Sequence, residues 1–160
     1  GYALPGTVRS RYQTSIAFRV PGKILRRHIE VGQEVASGQL LFELDAEDYV
    51  LQQRTAQANL AAAEAAVVQA TSEEKRLAEL RRINAISDSE YERQLSARDI
   101  AIGQRDSARK QLELAENQLR YCRLIADESG VVMSLEAEAG QVVAAGAAVC
   151  SIAISGELEA

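Results

Sequence analysis

Apolar residues in the middle of the chain recur in steps of four and three. From Ala46 to Asn84 they fall at Ala56, Leu60, Ala63, Val67, Ala70 and, past Glu74, at Leu77. That is the heptad spacing of a coiled-coil seam rather than the broad face of a globular helix. A continuous helix over this span would be about 58 Å long at 1.5 Å per residue. From Asp88 to Cys122 the rhythm returns at Ala101, Ala108, Leu112, Ala115, Leu119 and Cys122. Arg98 and Arg105 interrupt it, which predicts looser packing in the half near the turn. Between the two stretches Ser87 stands as a helix N-cap with Glu90 three residues later, flanked by Ile86 and Tyr91 in the places of a hydrophobic staple. So short a connection predicts an antiparallel hairpin over 46–122 with its tip near 84–88.

The flanks read differently. Between Gly38 and Gly130 the only glycine is Gly103, and both prolines, Pro5 and Pro21, precede the helical span. Outside it, short β-branched runs are punctuated by glycine, the signature of strands and tight turns. The two flanks also repeat each other. A shift of 108 carries Gly22, Gly32 and Gly38 onto Gly130, Gly140 and Gly146, Gln33 onto Gln141, Val35 onto Val143, Ala36 onto Ala144, and Leu44 onto Ile152. One such unit cannot cover both its faces, whereas two can close into a small flattened barrel or sandwich. The predicted fold class is α+β: two β half-motifs, at 20–45 and 123–154, interrupted by a long coiled-coil hairpin. An Ala-rich seam buries little, roughly 0.8 kcal/mol per methyl-sized group, so such a hairpin suits a spacer or arm.

Composition narrows the function. Aromatics are 4% with no Trp, the formal charge is -5 and the pI about 5.0, which disfavours non-specific nucleic-acid binding. No apolar run approaches the roughly 18 residues of a membrane span, and residue 1 does not begin a signal peptide. Cys122 and Cys150 form no metal spacing, and the lone His28 sits in the basic stretch Arg26-Arg27-His28, read as a solvated surface position. The cysteines read as small apolar fillers. With neither a phosphate loop nor a dinucleotide fingerprint, no catalytic constellation, cofactor site or metal site is expected.

Phe18-Arg19-Val20-Pro21-Gly22-Lys23-Ile24 resembles the first strand of the HlyD/AcrA family of periplasmic adaptors, or membrane fusion proteins. Val31-Gly32-Gln33-Glu34-Val35 through Gly38-Gln39-Leu40-Leu41, ending Leu44-Asp45-Ala46-Glu47-Asp48-Tyr49, is similar to its first lipoyl-like half-motif and the start of its hairpin. Leu119-Arg120-Tyr121-Cys122-Arg123-Leu124 with Ser129-Gly130-Val131-Val132 resembles the return. Ala126-Asp127-Glu128-Ser129-Gly130 departs from the family, where many members carry a proline. The resemblance implies a non-enzymatic, periplasmic protein attached to the inner membrane. It would link an inner-membrane transporter, RND type first, to a TolC-type outer-membrane channel and self-associate into a ring or funnel. It also implies that residues 1–19 and 155–160 are stubs leading toward a β-barrel and a membrane-proximal domain.

In that family an Arg, a Leu four residues later and a Ser seven beyond dock on the channel; here they match Arg76, Leu80 and Ser87. Each also has a local explanation, as a solvated position, a packing residue and a cap. Rival readings keep the fold and change the machine, to an ABC-type exporter or type I secretion system, or abandon transport for a lipoyl or biotinyl carrier or a purely structural coiled-coil scaffold. A carrier needs its modified lysine in a tight turn between the half-motifs, and Lys23, Lys75 and Lys110, the only lysines, lie elsewhere. The repeated β units count against the scaffold.

Overall fold

A computed structural model of the chain describes residues 9–157, with side chains described from 12 to 154. The outermost residues of both expected stubs, 1–8 and 158–160, lie outside the described residues. The chain is α+β and divides into two units: residues up to Glu47 together with those from Gln118 on, and Asp48–Asn117.

The first unit is a sandwich of two four-stranded antiparallel sheets. One has the order β1 (Arg9–Ala17), β8 (Ala148–Glu157), β6 (Gly130–Leu135), β3 (Glu34–Val35). The other has the order β5 (Arg123–Ile125), β4 (Leu40–Leu44), β2 (Gly22–Arg27), β7 (Val142–Val143). Each copy of the repeat lends its shortest strand to the other copy's sheet. Gly22 and Lys23 pair with Val143 and Val142, and 108 residues on Gly130 and Val131 pair with Val35 and Glu34. The connecting bonds obey the same exchange: Gly32 N donates to Val132 O at 2.8 Å, and Gly140 N to Ile24 O at 2.7 Å. Gly32, Gly38, Gly140 and Gly146 all sit at φ between 83° and 89°, a region that L side chains enter only at a cost.

The core follows the repeat further than the glycines do. Ile24 and Val132, Leu41 and Val149, and Leu44 and Ile152 are buried pairs related by the same shift. At three other buried pairs the first copy supplies the bulk and the second the space: Phe18 with Ala126, Ile29 with Ala137, Phe42 with Cys150. Phe18 and Phe42 meet edge to face, centroids 6.4 Å apart. Burying each such ring is worth on the order of 1.5–3 kcal/mol, so volume shared between the copies, rather than identity, keeps the interior filled.

The segment before residue 20, expected only as a lead-in, supplies β1, which runs beside β8 from Arg9↔Glu157 to Ala17↔Ala148. Its last part belongs to the repeat, since Ile16↔Cys150 and Ser15↔Ser151 mirror Leu124↔Phe42 and Arg123↔Glu43.

The second unit is helical. Helix α1 (Glu47–Arg82, 36 residues) is about 54 Å long, and α2 (Asp88–Arg120) follows after a five-residue turn, 83–87. No helix among the described residues is long and apolar enough to cross a membrane.

Candidate functional site

The turn between the helices is built from two caps. Helix α1 ends in a Schellman motif: Ala85 N donates to Leu80 O at 2.8 Å and Asn84 N to Arg81 O at 3.0 Å, with Asn84 at φ 58°. Ser87 Oγ accepts from Glu90 N at 3.1 Å, the N-cap expected from the sequence. Asp88 and Glu90 lie in the first turn of α2, and Arg81 and Arg82 in the last turn of α1, each matching the local helix dipole. Arg81 joins the two ends. Its Nε lies 3.2 Å from Asp88 Oδ1 and its guanidinium 4.6 Å over the Tyr91 ring.

Below this cap the two helices touch through polar groups. Tyr91 OH donates to Glu74 Oε1 at 2.6 Å, which pushes the Tyr91 phenol above its ordinary value, with burial adding to the shift. Arg98 Nη1 lies 3.7 Å from Glu74 Oε2, and Gln94 Nε2 donates to Ala70 O at 3.2 Å. Arg98 Nε is buried without a hydrogen-bond partner. Farther along α2 the buried positions are all small, Ala101, Ala108 and Ala115, while α1 has no fully buried residue. Its half-buried positions include Ala56, Leu60, Ala63, Val67, Ala70, Glu74 and Leu77, the stripe read from the sequence.

Of the three residues singled out by resemblance, Arg76 and Leu80 share one side of α1, one turn apart, and Ser87 stands in the connection as the cap of α2. Arg76 is 62% exposed and ion-paired to Glu73, whose carboxyl that hydrogen bond draws below its ordinary value. Leu80 is half-buried and Ser87 exposed. Sequence reasoning missed Arg81 as the clasp of the turn and assigned Tyr91 to packing alone. The signal available was a Tyr with an Arg ten residues before it and an acid seventeen before it, a spacing that acquires meaning only once the register of the helices is known.

Elsewhere the chemistry is quiet. Cys122 and Cys150 are free and buried, and burial first, then Asp45 and Glu136 respectively, pushes each thiol up to about 11. Such thiols are poor nucleophiles. His28 is exposed, with Nε2 2.7 Å from Glu43 Oε2. Lys23 lies in β2, and Lys75 and Lys110 in the helices. No cluster of His, Cys, Asp and Glu among the described residues could hold a metal ion.

Residues 12–155 match the family described as RND MFP (membrane fusion protein), barrel-sandwich hybrid domain. The chain is 29% identical over 150 residues to multidrug resistance protein MdtA of Yersinia pestis (strain Pestoides F), covering 94% of this chain and 34% of that protein. It thus spans about a third of the length of the curated relatives it matches. Among solved structures it is similar to a putative efflux transporter from Bacteroides eggerthii DSM 20697, at 27% identity and TM-score 0.58, over 92% of this chain and 44% of that one. MacA from Actinobacillus actinomycetemcomitans shares the fold at TM-score 0.70 and 22% identity, over 92% and 53% of the two chains. The duplicated sandwich, the two helices inserted between its copies and the match spanning all of them place the chain in the RND membrane fusion protein family, as a barrel-sandwich hybrid domain.

Proposed function

We propose that this chain is part of a periplasmic adaptor of a tripartite multidrug efflux pump, linking an inner-membrane transporter of the RND type to a TolC-type outer-membrane channel. The observation that carries the reading is the family match over residues 12–155, which takes in both β copies and both helices. The similar MdtA is a multidrug resistance protein by name, which supports export of drugs as the task.

The work assigned to the chain is mechanical. Copies standing side by side form a ring or funnel around the exit path, and the tip at Arg76, Leu80 and Ser87 meets the channel. The capped turn supports this role, because a docking end must keep its shape without help from a core. Arg76 would exchange its Glu73 partner for an acceptor on the channel, and Ser87 would present its hydroxyl hydrogen while its oxygen still caps α2.

The test is drug resistance in cells relying on this adaptor. Arg76→Ala and Ser87→Ala are expected to abolish resistance while α-helical content stays nearly unchanged, and a crosslinker placed within residues 76–87 is expected to capture the channel. Wild-type resistance in both variants overturns the docking role.

A further inference from the structure

Two strands that face each other in the sandwich pair on one side only, β1 with β8 and β5 with β4. Between them lies a cavity of about 460 Å³, lined by Thr14 to Ala17 on one side and Arg123 to Ile125 on the other. Side chains alternate along a strand, so a run of consecutive residues lines a cavity only where the strand turns its edge to it. Both edges therefore present to one space the N–H and C=O groups that their ladders leave over. Such groups are a template for an added strand.

The two edges are copies of each other, since the shift of 108 carries Ile16 onto Leu124. They run in opposite directions, and residues that stand level have numbers adding up to 140. Tyr12 OH donates to Glu128 Oε2 at 3.1 Å, and the Arg19 guanidinium lies 4.1 Å over the Tyr121 ring. The ends of the slot are thus equivalent in backbone but opposite in charge, because the same shift carries Arg19 onto Asp127. Arg19, Arg120 and Arg123 line one end and Asp127 the other, with Glu128 beyond it. At the basic end the nearby acids are engaged. Glu43 holds Arg123 at 3.0 Å and His28 at 2.7 Å, and Asp45 Oδ1 accepts from Glu47 N at 3.1 Å. Neither Arg19 nor Asp127 forms an ion pair among the described residues, and both are exposed.

We propose that this slot takes a short peptide with free ends, extended between β1 and β5. Its carboxylate lies at Arg19, Arg120 and Arg123 and its ammonium at Asp127. From Ala17 to Thr14 the edge runs about 10 Å at about 3.3 Å per residue, the length of about three or four residues. Backbone bonds to the two edges do not depend on side chains, so the site selects for length and charged ends rather than for sequence. A simple anion would answer the arginines and leave both Asp127 and the strand edges unmet. An internal segment of a longer protein has no ionised ends to offer. The site makes no use of the helix tip, so it stands or falls independently of channel docking.

The test is a titration of the protein with tetra-alanine, followed by amide NMR, beside the same peptide N-acetylated, C-amidated, or capped at both ends. Saturable shifts are expected at Thr14 to Ala17 and Arg123 to Ile125, with slower hydrogen exchange of the edge amides. Amidation is expected to weaken binding roughly tenfold in the wild type, as loss of one charge-assisted hydrogen bond implies, and to change little in Arg19→Asp. Acetylation is expected to cost the wild type roughly as much, and Asp127→Asn little. Both substitutions fall on exposed positions, where the sandwich tolerates them. Three results overturn the proposal: no saturable binding, equal binding of the doubly capped peptide, which marks an internal strand of a larger partner, or full displacement by inorganic phosphate at equal concentration, which marks a plain anion site.

Discussion

Gly22 and Gly130 occupy the same place in the two copies, yet the structure predicts opposite fates for their alanine variants. A Cβ on Gly130 would lie 2.5 Å from Ala153 O and 2.5 Å from Ile152 Cγ2, both on β8. The carbonyl is backbone and cannot swing away, so β6 must shift from β8 along the pairing Gly130↔Ile154 to Val132↔Ile152. Overpacking of this kind costs about 3 kcal/mol. A Cβ on Gly22 meets only Leu44 Cδ1 at 3.2 Å, the far end of a flexible side chain, and costs about 1 kcal/mol or less. Because the chain has two units, a single melting curve mixes their transitions. The buried thiol of Cys150 reports on the sandwich alone, since it reacts only when β8 opens. At 1.4 kcal/mol per decade, Gly130→Ala should speed its labelling by about 100-fold and Gly22→Ala by less than tenfold. Equal labelling rates in the two variants would refute the backbone-clash argument.

The turn and one ion pair give two further tests. Asn84 holds a left-handed conformation, so Asn84→Ala should destabilise the helical unit by about 1 kcal/mol and Asn84→Gly should leave it unchanged or slightly firmer, read from thermal melts by far-UV circular dichroism. The hydrogen bond from His28, helped by the charges of His28, Arg123 and Arg26 against an opposing burial effect, holds the Glu43 carboxyl below its ordinary value of 4.5. A lowered carboxylate stabilises the fold above that ordinary value and loses its contribution as pH falls through the lowered folded value. Urea midpoints between about pH 7 and about pH 3 should therefore show that part of the acid loss in the wild type and not in Glu43→Gln.

Much of this architecture was legible because the sequence repeats where geometry is strict. Turn glycines at positive φ admit few substitutes, so Gly32 and Gly140 kept their identity and revealed the duplication. Core positions are constrained only in sum. Phe18 with Ala126 and Phe42 with Cys150 share a volume between copies, and no comparison of identities recovers that. The edge strand β1 escaped notice because only its last residues belong to the repeat, and the rest is defined by β8 alone. At the tip, Ser87 was readable as a cap because capping is local. Arg76 was not distinguishable from any solvated arginine by its own sequence context. The polar contacts of Glu74, Tyr91 and Arg98 depend on register across two helices, which neither stretch encodes alone.

Duplication also explains where the helices are inserted. Leu44 N donates to Cys122 O at 2.8 Å where the chain leaves β4 and where it returns. Shifted by 108, these residues become Ile152 and Thr14, a pair in the β1–β8 ladder. The framework therefore has two equivalent edges where two chain segments emerge side by side. At one edge the segments continue as paired strands, Arg9 to Glu157; at the other they become α1 and α2. Strands emerge about 5 Å apart, whereas helix axes need 8–10 Å, so residues on both sides must splay the chain. Asp45 and Ala46 do this on the way out, and Tyr121 and Cys122, outside any helix or strand, on the way back. Asp45 N is held by Lys23 O at 2.8 Å, so the splay starts from a fixed point.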